Sequence, residues 1–159
     1  MKHIVGVADM KIAEDVGDVV VTHALGSCLG VAVYDPSAHV GGILHVMMPM
    51  SSINPDKAKA NPFMFVDTGV PAFFRKLYEY GAQKRRLVVK VAGGANVQGK
   101  SEDRFAIGRR NYIVLKKIFW KNNVMIESED CGGTCARTLY LELSGGRCWI
   151  STAGQEKLL

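Results

Sequence analysis

The chain alternates many short apolar runs with only two longer helical patterns, and this alternation constrains its fold more than any other feature. Short β-branched and apolar runs bounded by Gly, Pro, Asp or Asn are typical of strands. Such runs are too numerous for a simple βαβ unit, so the sequence predicts an α+β layered domain with helices packed on the strands. The predicted strands are 19–22, 29–34, 43–47, 87–91, 124–127, 131–134, 137–143 and 147–150.

The two helical patterns repeat apolar residues at spacings of three and four, as expected of helices that pack one face on a core. The first begins with Asp67 as a capping residue and ends at Gly81, and the second runs from Gly108 to Asn122. Between the strands and the first helix, segment 51–62 carries Ser, Asn and two prolines. We predict a surface loop there that could border a site.

One pair of strands is expected to form a β-hairpin. The run 29–34 ends at Asp35-Pro36, and the turn-rich residues 37–42 lead into the run 43–47. This arrangement places Cys28 at the beginning of one strand and His45 inside its neighbour.

Length and composition narrow the class of protein. A chain of 159 residues with 48% hydrophobic and 22% charged residues predicts one folded domain, 1–159, that needs neither disulfides nor a structural metal. No apolar stretch approaches the ~20 residues of a membrane-spanning helix, which excludes membrane insertion. Residues 1–9 lack the features of a secretory signal, so we expect a cytoplasmic protein whose four cysteines are free thiols.

The charge of the chain is moderately basic. Twenty Lys and Arg against fifteen Asp and Glu give a net charge of +5, which favours anionic partners at long range. Basic residues gather at 84–86 and 109–110, but no aromatic interleaving or nucleic-acid motif accompanies them. We therefore expect no nucleic-acid binding, and solvated faces or an acidic protein partner explain these clusters better.

Motifs direct attention to a cysteine and a histidine. The sequence has no P-loop, no G-x-G-x-x-G after a strand, no H-E-x-x-H and no G-x-S-x-G. The predicted hairpin instead brings Cys28 near His45, and an imidazole can remove a thiol proton and so favour a reactive thiolate of lowered pKa. Thr22 can orient the imidazole. Backbone N–H groups at the bend Gly26-Ser27-Cys28 could bind an oxyanion or substrate.

Simpler interpretations of the same residues stay open. A buried cysteine is often only a small apolar residue, and a strand histidine is often a hydrogen-bonded core residue. Cys28, His45 and His23 could form a metal site, although the sequence offers no fourth ligand. Cys131 and Cys135 are spaced C-x-x-x-C, which matches neither a zinc ribbon nor a redox pair, so we interpret both as structural. No cofactor and no metal are predicted.

Several motifs in order along most of the chain resemble one family. They are residues 22–29 (THALGSCL), 45–49 (HVMMP), 90–95 (KVAGGA) and 107–111 (IGRRN), followed by Gly132-Gly133 with Arg137. On these motifs the chain resembles the chemoreceptor glutamine deamidase CheD family of bacterial and archaeal chemotaxis.

The resemblance implies a fold, a reaction and a set of roles. The fold would be a layered β-sandwich-like core flanked by helices, similar to toxin-type protein deamidases. Cys28 would be the nucleophile, His45 the general base and acid, and Thr22 the group that orients His45. The reaction would be hydrolysis of glutamine side-chain amides to glutamate, through a thioester and without a cofactor, on the cytoplasmic domain of methyl-accepting chemotaxis receptors.

Two alternative functions accompany this prediction. The chain could be a binding partner and regulator of a CheC-type chemotaxis phosphatase, with or without catalysis. It could also be a thiol protease or transamidase that uses the same cysteine and histidine with another carbonyl or another acceptor.

Overall fold

The computed structural model describes residues 1–97 and 106–159, and within them ten strands form two five-stranded sheets. Strands β1 and β3 of the first sheet are parallel, and the others in it pair antiparallel. The strands of the first sheet, in spatial order, are β1 (Lys2–Val5), β3 (Val19–Leu25), β8 (Arg137–Glu142), β9 (Cys148–Thr152) and β10 (Gln155–Leu158).

The second sheet carries the predicted hairpin at its centre. Only its last pair, β6 with β7, is parallel. In spatial order its strands are β2 (Asp9–Ala13), β5 (Val40–Val46), β4 (Leu29–Asp35), β6 (Val88–Gly93) and β7 (Ser128–Cys131). The α-helices of the described residues are α1 (Pro55–Ala60), α2 (Val66–Glu79) and α3 (Ile107–Lys121), and none of them is long and apolar enough to cross a membrane.

Two layers of apolar side chains explain why every residue of β4 and β5 is buried. Alternate side chains of a strand point to opposite faces of its sheet. In β4, Ala32 and Tyr34 join a core between the two sheets, whereas Val31 and Val33 join a core between the second sheet and helices α2 and α3. The architecture is therefore a three-layered sandwich of sheet, sheet and helices, which confirms the predicted α+β fold with a sandwich-like core.

The predicted hairpin is confirmed, although its second strand begins at Val40 and not at Ile43. β4 pairs antiparallel with β5 from Leu29 opposite Val46 to Asp35 opposite Val40. The buried Asp35 carboxylate shapes the turn by accepting hydrogen bonds from the backbone N–H groups of Ser37 and Ala38.

Other element predictions were wrong in part. Segment 51–62 is not a bare loop, because it contains α1, whose first turn is capped by the Asn54 side chain accepting from Lys57 N. Asp67 does not cap α2. It lies in the first turn, and its carboxylate accepts hydrogen bonds from the backbone and hydroxyl of Ser51.

The last third of the chain also differs from the prediction. Residues 124–127 were predicted as a strand but form a connection, in which Val124 and Ile126 pack against the core below the helices. The strand of this region is β7, which follows directly. The strand predicted at 131–134 ends at Cys131, where Gly132 and Gly133 adopt positive φ angles of 84° and 70°. Strands β1, β2 and β10 were not predicted.

Candidate active site

A β-bulge in β3 shapes the backbone beside Thr22. The pairing of β3 with β8 shifts register between Thr22 and Leu25, and Ala24 adopts a positive φ of 58°. A bulge leaves extra residues unpaired and changes the direction of side chains on either side of it. Here His23 and Ala24 are exposed, while Thr22 and Leu25 are fully buried.

Thr22 connects the two sheets through a hydrogen bond to His45. The Thr22 hydroxyl donates to the carbonyl oxygen of Val5 at 2.8 Å, and its Oγ1 lies 2.7 Å from Nδ1 of His45. A hydroxyl has one proton, and the Val5 carbonyl can only accept. The proton of the second hydrogen bond must therefore belong to Nδ1, so Thr22 accepts from His45 and Nε2 carries the free lone pair.

Burial keeps this imidazole neutral. His45 is fully buried, and removal from water lowers its pKa to about 4. Nε2 has no hydrogen-bond partner among the residues that the structure describes. At neutral pH His45 thus presents a buried, unprotonated nitrogen, which is the state that a general base requires.

Cys28 lies on the same side of the second sheet as His45. It immediately precedes β4, in which Gly30 pairs with His45, and alternation puts Cys28 and Gly30 on one face. A Cβ added to Gly30 would contact Leu139 of the first sheet, and the Cys28 side chain packs against the core between the sheets. The register therefore places the two side chains on one face as diagonal neighbours.

The environment of the thiol corrects one expectation. We predicted a lowered pKa for Cys28, but partial burial raises the pKa of this thiol, and its own backbone N–H opposes the change only in part. Since His45 is neutral and Nε2 forms no hydrogen bond with a described residue, the free protein holds a thiol and an imidazole and not an ion pair.

The loop that carries Cys28 is held by three successive carbonyl groups. The carbonyls of Gly26 and Cys28 accept from the backbone N–H groups of Ala95 and Gly94, at 2.8 and 2.9 Å. The Ser27 carbonyl accepts from the side-chain amide of Asn111 at 3.0 Å.

These carbonyls also define where the neighbouring N–H groups point. In a trans peptide the N–H is directed opposite to the C=O. The N–H groups of Ser27 and Cys28 therefore point away from Ala95 and Asn111, and neither donates to a carbonyl within residues 1–97 and 106–159. The N–H of Gly26, in contrast, donates to Ala24 O at 3.0 Å within the bend.

Glycine at position 93 permits the close approach behind the loop. Gly93 has a φ of 113°, and a Cβ there would collide with the carbonyl oxygen of Cys28. The end of β6 can thus reach the loop only without a side chain at this position.

The remaining candidate ligands are not gathered at the site. His23 is exposed, with Nδ1 3.5 Å from the Thr138 hydroxyl. Cys131 packs against the core under the helices, Cys135 is exposed and Cys148 is buried. Within the described part of the chain, no three His, Cys, Asp or Glu side chains are grouped so that they could hold a metal ion.

Fold and site together define a class of protein. Its members are α+β sandwich proteins in which a cysteine and a neutral, oriented histidine lie on the face of a hairpin that is directed towards the other sheet. Comparison with known proteins narrows this class. A family model described as "CheD chemotactic sensory transduction" matches residues 47–152. The chain is 48% identical over 151 residues to the "Probable chemoreceptor glutamine deamidase CheD 1" of Syntrophus aciditrophicus, with 95% of this chain and 94% of that protein covered.

Two further relatives give the same result. The "Probable chemoreceptor glutamine deamidase CheD" of Solibacter usitatus is 44% identical, with 98% of this chain and 92% of the relative covered. The protein of that name from Thermococcus kodakarensis is 33% identical, with 98% and 95% covered. The chain belongs to the CheD family, as its motifs predicted.

Proposed function

We propose that this protein is a glutamine deamidase that hydrolyses the side-chain amide of glutamine to glutamate in the cytoplasmic domain of chemotaxis receptors. The observation that carries the proposal is the hydrogen-bond chain Val5–Thr22–His45, which leaves Nε2 of His45 unprotonated on the face where Cys28 lies. The names of the relatives supply the substrate class.

In the first half of the reaction, Nε2 of His45 takes the thiol proton as Cys28 Sγ bonds to the amide carbon. The N–H groups of Ser27 and Cys28 stabilise the negative charge that develops on the amide oxygen. Collapse of this intermediate breaks the C–N bond, and His45 returns its proton to the leaving nitrogen. Ammonia departs, and a thioester joins Cys28 to the former glutamine side chain.

The second half regenerates the enzyme. His45 removes a proton from water as the water oxygen attacks the thioester carbon, and Cys28 leaves and recovers that proton. The product is glutamate, and water is the only reactant needed besides the enzyme and its substrate to balance the reaction. A neutral thiol and imidazole are suited to this sequence because the proton moves only when the substrate is bound.

Charge on helix α3 supports an acidic substrate surface. The helix carries five basic residues and no acidic one, and none of the five forms an ion pair with a described residue. Such a surface speeds the encounter with an acidic partner. The exposed basic residues are Arg109, Arg110, Lys116, Lys117 and Lys121.

A cavity next to the Cys28 loop offers room for a substrate segment. Its volume is about 760 Å³. Its lining includes Gly94 and Ala95, which hold the loop, together with Tyr112 of α3 and the turn Gly132-Gly133. Residues 26–28 and His45 do not line it, so a receptor segment seated there would contact the segment that holds the Cys28 loop and not the loop itself.

The alternative role as a regulator of a CheC-type phosphatase stays a prediction. Cys28→Ala separates it from catalysis, because the substitution removes the nucleophile and leaves the exposed surface unchanged.

Hydrolysis is tested with a receptor cytoplasmic fragment in water enriched in ¹⁸O. A deamidase gives glutamate that contains one oxygen atom from water, together with free ammonia. Peptide-bond cleavage, or amine exchange without ¹⁸O uptake, would assign the chain to the protease or transamidase alternative.

A further inference from the structure

Asn111 of α3 is fully buried and touches both segments that carry the proposed catalytic residues. Its side-chain Nδ2 donates to Ser27 O at 3.0 Å and to Met47 O at 3.1 Å. Ser27 precedes Cys28, and Met47 lies two residues after His45. One amide group therefore holds the nucleophile loop and the strand of the base at a fixed separation.

The contact with Ser27 has a second consequence. The Ser27 carbonyl and the Cys28 N–H belong to the same rigid peptide plane and point in opposite directions. Of the three carbonyls that hold the loop, this is the one fixed by a side chain. The orientation of the Cys28 N–H thus depends on Asn111.

A glycine near the beginning of α3 allows the helix to approach the Cys28 loop closely enough for Asn111 to reach it. A Cβ at Gly108 would lie 2.6 Å from Ala95 O and 2.7 Å from Gly94 O, so the helix presses on the segment that also holds the Cys28 loop. Asn111 retains a buried Oδ1 without a hydrogen-bond partner among the described residues. An unsatisfied buried oxygen is destabilising, and it opposes the stability that the two donated hydrogen bonds provide.

We propose that Asn111 is a positioning residue, which fixes the Cys28 loop and its N–H against the strand of His45. It touches neither substrate nor the reacting atoms. The proposal rests on the proposed function for the roles of Cys28 and His45, and its test includes a measurement that needs no substrate.

The test compares Asn111→Leu, which keeps the branched shape without the amide, with Asn111→Ala. Asn61→Ala is the matched control, because Asn61 Nδ2 also donates to a distant carbonyl, that of Ala8, at 2.8 Å. We expect Asn111→Leu to lower kcat at least tenfold with KM within about twofold of wild type, which corresponds to about 1.4 kcal/mol or more in the barrier. Its melting temperature should fall, because the carbonyls of Ser27 and Met47 lose their donor, but the protein should remain folded at the assay temperature.

The substrate-free measurement is the alkylation rate of Cys28 at pH 8, followed on its peptide by mass spectrometry. A loosened loop exposes the thiol, so alkylation should become several times faster in both Asn111 variants and remain unchanged in Asn61→Ala. Wild-type kcat and unchanged alkylation in folded Asn111→Leu would overturn the proposal. So would a loss of kcat in the control Asn61→Ala as large as that in Asn111→Leu. An inactive wild-type protein with the alkylation pattern intact would overturn the proposed function and leave the positioning role standing.

Discussion

Thr22 Oγ1 lies 2.7 Å from His45 Nδ1, and the threonine belongs to one sheet while the histidine belongs to the other. Because the hydroxyl proton is used on Val5 O, this contact fixes the imidazole as the Nδ1–H tautomer. The packing of two sheets thereby sets the protonation of a single nitrogen, and the proposed chemistry depends on that nitrogen.

The role of this hydrogen bond can be tested with Thr22→Val, which keeps the shape and removes the hydroxyl. We expect kcat/KM to fall about 100-fold, in the range of a lost acid–base contribution. The orphaned Nδ1–H and Val5 carbonyl should also lower the free energy of unfolding by about 1–3 kcal/mol. Thr22→Ser, which restores the hydroxyl, should recover most of the activity, and equal losses in the two variants would contradict the assigned role.

Burial of His45 predicts a specific dependence of stability on pH. The folded pKa of about 4 lies below the ordinary histidine value of 6.5, so the unfolded chain binds a proton first as the pH falls. The contribution of neutral His45 to the free energy of unfolding is complete above pH 6.5. It is lost as the pH falls towards 4, at up to roughly 1.4 kcal/mol per pH unit. Chemical denaturation of wild type and His45→Gln across this window should show a steeper loss for wild type. Parallel curves would show that the folded protein does not depress this pKa.

The thiol of Cys28 should titrate above its ordinary range in the free protein, because burial raises its pKa. The measurement is the pH dependence of Cys28 alkylation, resolved by peptide from the exposed Cys135. We expect Cys28 to react more slowly than Cys135 at pH 7.5 and to gain rate only in alkaline solution. A reactive plateau that already exists near neutral pH would instead indicate a preformed thiolate.

Charge reversal on α3 should weaken binding without changing chemistry. Arg110→Glu combined with Lys117→Glu should raise KM about tenfold at low salt and leave kcat unchanged, and added salt should reduce the difference from wild type. The control is Lys2→Glu with Lys84→Glu, which changes net charge equally at exposed positions elsewhere. Equal effects of the two pairs of substitutions would contradict the assignment of α3 as the docking surface.

The sequence allowed the hairpin to be predicted because a hairpin depends on local patterns. Cys28 and His45 lie at the beginning and in the interior of adjacent strands whose turn residues, at Asp35 and beyond, are unambiguous. The α+β class followed from the same alternation. Membership of the CheD family followed from motifs spread along the chain.

Long-range packing explains what could not be predicted. All four residues of β10 are exposed, so it shows no hydrophobic pattern, and β9 with the Lys90–Leu159 contact holds it in place. The raised pKa of Cys28 depends on the core between the sheets, which no local pattern reveals. Asn111 was visible only as part of a motif, because its partners Ser27 and Met47 are far away in sequence.

The most direct test of the central claim is peptide mass spectrometry of a receptor cytoplasmic fragment incubated with wild type, Cys28→Ala and the matched control Cys135→Ala. The account predicts conversion of glutamine to glutamate by wild type and by Cys135→Ala, and none by Cys28→Ala, with all three proteins folded. Conversion that persists in Cys28→Ala, or its absence with wild type on several receptors, would contradict a deamidase that uses Cys28.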